Sequence, residues 1–258
     1  MTALSAPRIE VHGSAASLAS AVAGALVARL VEAQANGREP QVALTGGTIA
    51  DAVNRELARL SGATGTGPRV DWSRVGFWWG DERFVPADSP DRNALAARRA
   101  FLDVVGADPA KVHEIGSADA FDSVTEAAAA YGNEVRTHGS GGFEVVLLGV
   151  GPDGHVASLF PGRAEVEVAD RVAVGLTDSP KPPPERVSLT LPALNRTLAT
   201  WLVVSGEEKA GAVATALGGG LGGGEVPASL GGAEVPAARV RGGEETVWFL
   251  DRPAASHL

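Results

Sequence analysis

His155 and Asp153 stand two residues apart in V-V-L-L-G-V-G-P-D-G-H-V-A-S-L-F-P-G (145–162), where an apolar run breaks into Gly149, Gly151 and Gly154. A β-branched and leucine run ended by glycines reads as a buried strand stopping at a turn. Open α/β sheets place their sites outside the carboxyl ends of such strands. A histidine there can titrate near neutrality and serve as a general base or acid. It can equally cap the turn or the next helix, so this residue alone decides nothing.

Two further strand ends carry polar groups suited to chemistry. In Q-V-A-L-T-G-G-T-I-A-D-A-V (41–53) a short apolar run meets Thr45, Gly46, Gly47 and Thr48, after which Ile49, Val53, Leu57 and Leu60 recur at helical spacing. Free amides at a helix start, with glycines that let a ligand come close, make an anion site. Thr45 and Thr48 can add hydroxyl donors. The turn is neither a Walker loop nor G-x-G-x-x-G, so a small phosphate fits it better than a nucleotide. Alternatively it is a plain βα connection with a threonine cap. In R-V-G-F-W-W-G-D-E-R-F-V-P (74–86) an alternating strand ends at Gly80 and delivers Asp81, Glu82 and Arg83 together. A solvated charged turn would look the same. Three strands that end in anion-binding, charged and acid–base groups are what one crevice of an α/β domain would leave in a sequence.

The elements that must position these groups alternate along the chain. Strands are expected at 8–12, 41–45, 74–79, 143–149 and 200–205, with 187–191 a further candidate. Helices are expected at 15–35, 48–60, 91–104 and 122–138. Such alternation predicts an α/β fold in one domain over 1–258, its mostly parallel sheet doubly wound and covered on both faces. Ser14 as cap, then Leu18, Val22, Leu26 and Leu30 and a stop at Asn36-Gly37, describe an amphipathic first helix. Residues 61–68 read as a flexible connection. The stretch 218–243 repeats E-V-P-A at 225–228 and 234–237 and is so rich in glycine that 218–233 is expected to be a surface loop.

Composition narrows the function classes. The 258 residues suffice for one large α/β domain, and 45% hydrophobic content is that of a globular protein. A net charge of −9 argues against nucleic acid as a partner, and means that an anionic ligand must be met by locally placed arginines and lysines. With no cysteine, disulfides, thiolate metal sites and cysteine nucleophiles are excluded. No H-E-x-x-H or comparable set calls for a metal, and no G-x-S-x-G elbow offers a nucleophilic serine. The apolar stretch 21–28 lacks a preceding basic region and is shorter than the roughly 20 residues of a membrane span. A cytoplasmic location without membrane association is therefore expected.

T-G-G-T, W-G-D-E-R-F-V-P (79–86), L-G-V-G-P-D-G-H-V-A-S-L-F-P-G (148–162) and S-G-E-E-K-A (205–210) occur in the order and approximate spacing of 6-phosphogluconolactonases. The chain resembles the bacterial form of that family over most of 8–252, including S-P-K-P-P-P-E-R-V-S-L-T-L-P-A-L-N (179–195), P-A-A-R-V (236–240) and W-F-L-D (248–251). The joint match of D-E-R-F-V-P and D-G-H-V-A-S-L-F-P is the specific part. Thr45 replaces the usual serine of the turn and keeps its hydroxyl. The family's D-S-N becomes Asp91-Arg92-Asn93, which keeps Asn93 and removes any serine role at position 92.

The resemblance implies a Rossmann-like fold of the sugar-phosphate isomerase type. It also implies hydrolysis of 6-phospho-D-glucono-1,5-lactone, the second step of the oxidative pentose phosphate pathway, without cofactor or metal. On it, His155 is the base that activates water, Asp153 holds the imidazole, and Arg83 orients the lactone and stabilises charge at C1. Asp81 and Glu82 orient Arg83 or bind sugar hydroxyls. The phosphate would sit on Gly46, Gly47 and Thr48 beside Thr45, closed on by Arg186 and Lys209. The expected partner is the phosphorylated sugar lactone alone, and the expected assembly a monomer or weak homo-oligomer. Glucosamine-6-phosphate deaminase/isomerases share the S-G-G-type turn and D-G-H, yet carry D-E-Y where this chain has Asp81-Glu82-Arg83. A non-catalytic sugar-phosphate-binding module is the remaining alternative.

Overall fold

The computed structural model describes residues 6–62, 69–218 and 235–258. Six strands form a wholly parallel sheet: β1 (Arg8–His12), β2 (Gln41–Leu44), β3 (Gly76–Trp79), β5 (Phe143–Leu148), β8 (Thr197–Val204) and β9 (Glu245–Asp251). Their spatial order is β1-β9-β8-β5-β2-β3. Every residue of β2 and of β5 is buried, as expected for central parallel strands covered on both faces. From β2 the chain moves outward to β3, then returns to β5 and proceeds the other way through β8 and β9. The strand order therefore reverses between β2 and β5, the place where such sheets open a crevice.

Eight helices surround the sheet among the described residues. The first, α1 (Ala15–Ala35), starts on a reciprocal box in which Ser14 Oγ accepts from Ser17 N–H and Ser17 Oγ accepts from Ser14 N–H. By length and composition α1 would suffice to cross a membrane. Leu18, Val22, Leu26 and Leu30 are nevertheless buried in the core, on the face the periodicity predicts. It packs on α2 (Thr48–Ser61), while α3 (Asn93–Ala97) continues through a π turn at Arg98–Leu102 into α4 (Asp103–Val105). Next, α5 (Val124–His138) is latched to β3 by Tyr131, whose hydroxyl accepts from Trp79 N–H and donates to Trp79 O, both at 2.9 Å. Three short helices, α6 (Leu191–Leu194), α7 (Ala210–Ala216) and α8 (Pro236–Arg239), complete the set.

The structure departs from the sequence expectations mainly by a second sheet. Asp81–Arg83 is not a turn but strand β4, which pairs antiparallel with β7 (Arg186–Leu189), itself beside β6 (Ala173–Leu176). The candidate strand at 187–191 thus exists, beginning one residue and ending two residues earlier, in this smaller sheet. Neither β6 nor β9 was expected: β6 is four residues long with Gly175 inside it, and β9 opens on the polar pair Glu245-Thr246. Strand β3 begins at Gly76 because Trp72–Arg74 forms a 3-10 turn capped by the Asp71 carboxylate. Beyond Gly218 the glycine-rich stretch lies outside the described residues, as does 63–68. The second E-V-P-A emerges at Val235, and Pro236 starts α8.

Candidate active site

A cavity of about 670 Å³ opens at the reversal point, over the carboxyl ends of β2, β5 and β8. The turn after β2 forms its floor. Gly47, at φ 100°, caps α2 without any side-chain bond, so the first amides of that helix are left for a ligand. Gly46 fits because a Cβ there would lie 1.8 Å from Asn93 Oδ1. Thr45 Oγ1 accepts from Gly149 N–H at 3.3 Å and ties this turn to the one after β5. Thr45, Gly46, Gly47 and Thr48 all line the cavity.

The turn after β5 supplies the His155–Asp153 pair. His155 Nδ1 donates to the Asp153 carboxylate, and the ring tilts against Phe160 with centroids 4.5 Å apart. Gly151 permits this placement, since a Cβ there would meet the imidazole at 2.0 Å. With Nδ1 engaged, Nε2 is the ring nitrogen left to act as base, and His155 lines the cavity. Burial pushes the Asp153 carboxyl up, but the hydrogen bond and charge of His155 outweigh it and hold the group below the ordinary aspartate range.

Strand β4 brings the charged triplet, and its alternation separates the three side chains. Asp81 and Arg83 line the cavity, and Glu82 points the other way. Asp81 Oδ2 accepts from Ser158 Oγ at 2.6 Å, and its carbonyl accepts from Asn93 Nδ2 at 3.1 Å. Arg83 Nη1 donates to Asp91 O at 2.5 Å, while its buried Nε has no partner. Glu82 is 0% exposed and accepts from the amides of Arg83, Asn93 and Ala94 at 2.8–2.9 Å, with Arg92 at 4.0 Å. The expectation that Glu82 meets sugar hydroxyls is thereby corrected. Its carboxylate is occupied inside the fold, where it fixes the start of α3 and hence Asn93. Burial pushes this carboxyl up, against the pull of Arg92 and the three amides.

The two expected phosphate donors also reach the cavity. Lys209, in the turn Glu207–Lys209, has Glu208 within 3.4 Å. That turn is held by Asp251 at the end of β9, which accepts from Ser205 Oγ at 2.5 Å and Gly206 N–H at 3.1 Å. Arg186 is buried, its Nη1 4.0 Å from Asp81 Oδ2. Its Nε and Nη2 donate to the carbonyls of Lys181, Pro182 and Pro183, each at 3.2 Å.

Arg55, Ser205 and Lys181 are among the cavity residues that sequence reasoning did not single out. Arg55 lies on α2 seven positions after Thr48, and the helical period through Ala52 was a signal that could have placed it there. Ser205 was visible only as the first letter of S-G-E-E-K-A. Lys181 was hidden in a proline run that reads as structural. Among the described residues no cluster of three or more His, Cys, Asp or Glu could hold a metal ion.

An α/β sheet whose reversal point joins an uncapped helix start, a histidine–carboxylate pair and several cations defines a protein built to take a small anionic molecule into a reactive crevice. The chain belongs to the glucosamine-6-phosphate isomerase/6-phosphogluconolactonase family, whose sequence model matches residues 13–248. It is 44% identical to a 6-phosphogluconolactonase of Streptomyces coelicolor, over 98% of this chain and 95% of that protein. Identity to a 6-phosphogluconolactonase of Mycobacterium tuberculosis is 38%, over 97% and 98%. Among solved structures, a 6-phosphogluconolactonase from Thermotoga maritima superposes with a TM-score of 0.77 at 26% identity, covering 95% of this chain and 99% of that one. A monomeric glucosamine-6-phosphate deaminase shares the fold, with a TM-score of 0.77 at 18% identity.

Proposed function

We propose that this chain hydrolyses 6-phospho-D-glucono-1,5-lactone to 6-phospho-D-gluconate, the second step of the oxidative pentose phosphate pathway. The observation that carries this reading is the opening of the His155–Asp153 pair into the same cavity as the uncapped start of α2. The substrate's phosphate lies on Gly46, Gly47 and Thr48, with Lys209 and Arg186 Nη1 as charge-assisted donors. His155 Nε2 takes a proton from water as its oxygen attacks C1, and Asp153 stabilises the imidazolium that forms. Arg83, whose side chain lines the cavity, faces the negative charge that develops on the former carbonyl oxygen. The tetrahedral intermediate collapses with cleavage of the bond from C1 to the ring oxygen, which receives the proton from His155. A lactone is a reactive ester, so positioning, one base and charge stabilisation suffice.

The reading carries with it a cytoplasmic location, no cofactor, and a monomer or weak homo-oligomer. Its test is direct. Freshly generated lactone should disappear faster with catalytic amounts of protein than by spontaneous hydrolysis, with activity unaffected by a chelator. Glucosamine 6-phosphate should release no ammonia, because Arg83 stands where the deaminase pattern has tyrosine. Ammonia release at a rate comparable to lactone hydrolysis would overturn the assignment.

A further inference from the structure

Arg92, where the chain departs from the D-S-N pattern, is only 3% exposed. Its Nη2 donates to Ile115 O at 2.6 Å and lies 4.0 Å from Glu82 Oε2 and 3.8 Å from Glu114 Oε2. Its Nη1 is buried without a hydrogen-bond partner. Burying a guanidinium so incompletely bonded is unfavourable unless carboxylates oppose its charge. Glu114 also pairs with Arg98, but Glu82 is fully buried and has Arg92 as its one cation within 4.0 Å among the described residues. Each of the two charges therefore depends on the other.

This enclosed pair has a reach into the cavity. Glu82 Oε1 accepts from Arg83 N–H at 2.9 Å and Asn93 N–H at 2.8 Å, so one oxygen ties β4 to the start of α3. The residues on either side of Arg92 grip β4 directly. Asp91 O accepts from Arg83 Nη1 at 2.5 Å, the one hydrogen bond of that guanidinium among the described residues. Asn93 Nδ2 donates to Asp81 O at 3.1 Å, and Asn93, Asp81 and Arg83 all line the cavity. Building on the lactonase reading, we infer that Arg92 is a positioning residue for that reaction. By balancing Glu82 it fixes the segment Asp91–Asn93, and through that segment it sets the Arg83 guanidinium that faces the charge developing at C1.

A double-mutant cycle tests this. Wild-type protein, Arg92→Met, Arg92→Lys, Glu82→Gln and the double variant Glu82→Gln/Arg92→Met are to be compared in kcat and KM for the lactone, under conditions where urea denaturation shows each to be folded. Arg92→Met should lower kcat roughly tenfold, as a displaced catalytic group does. KM should stay within about threefold, because the turn after β2 keeps its own tie from Thr45 to Gly149. Arg92→Lys, which retains the charge, should recover most of kcat. The double variant should turn over within about threefold of the slower single variant, well above the product of the two losses, because the pair acts as a unit. If Arg92→Met alone is too unstable to assay, the double variant, which buries no charge there, decides by the same drop in kcat at little-changed KM. Wild-type kcat in a folded variant lacking Arg92, a KM raised as far as kcat is lowered, or losses that multiply would each overturn the inference. Wild-type protein that leaves the lactone untouched would instead sink the functional reading, and this inference with it.

Discussion

At the scale of single residues, His155 and Asp153 divide their work by burial and contact. Removing the base while keeping the shape, as in His155→Asn, is expected to lower kcat roughly 10²–10⁴-fold with the fold intact. Near-wild-type turnover in a folded variant would refute the role. Asp153 yields a pH prediction. Its folded carboxyl is held below 3.8, so it contributes stability that is present above that value and lost as pH falls through the depressed one. Acid-titration of Tm should therefore be shallower in Asp153→Asn below the ordinary aspartate range, with the difference closing at the lowest pH. Glu82 shows the limit of reading residues singly. D-E-R presents three charges alike, and only strand alternation decides that the middle one turns inward. Its three amide bonds make Glu82→Gln, which keeps a single acceptor oxygen, destabilising by about 1–3 kcal/mol in urea denaturation.

At the scale of elements, most of what positions the site was legible in sequence. Periodicity located α1 and α2 to within a residue, because each has a clear apolar stripe and its own start and stop signals. The strands β2 and β5 were visible as apolar runs ended by glycines. What stayed hidden was the three-stranded sheet, since β4 is three residues of pure charge and β6 four residues around a glycine. The partner of β4 lies about 100 residues away, which no local pattern encodes. The turn after β2 and the Arg83 strand also proved to be mechanically joined, through Asn93. Gly46→Ala tests that joint: its Cβ would overlap Asn93 Oδ1 at 1.8 Å and must displace it. A fall in kcat/KM of at least about tenfold is expected, since errors near 1 Å in positioning cost up to 10²-fold. Unchanged kinetics would show that the joint is slack.

At the scale of the whole molecule, charge is distributed against the average. The chain carries −9 overall, yet Arg55, Arg83, Lys181, Arg186 and Lys209 gather at one cavity. An anionic substrate is repelled by most of the surface and drawn to that mouth, so capture depends on fields that salt screens. Raising ionic strength from ~0.01 M to ~0.15 M cuts the Debye length from about 30 Å to about 8 Å. KM should rise several-fold across that interval while kcat changes little, and a KM indifferent to salt would exclude steering. The sheet's outermost pairing has a consequence in time as well. Among the described residues β1 has β9 as its sole strand neighbour, with Arg8 opposite Val247 and His12 opposite Asp251. During synthesis β1 thus waits for β9, and the carboxylate that anchors Ser205 and Gly206 arrives with that same late strand. The nascent chain can assemble its central strands early, but the turn that carries Lys209 gains its Asp251 anchor only when biosynthesis has delivered residue 251.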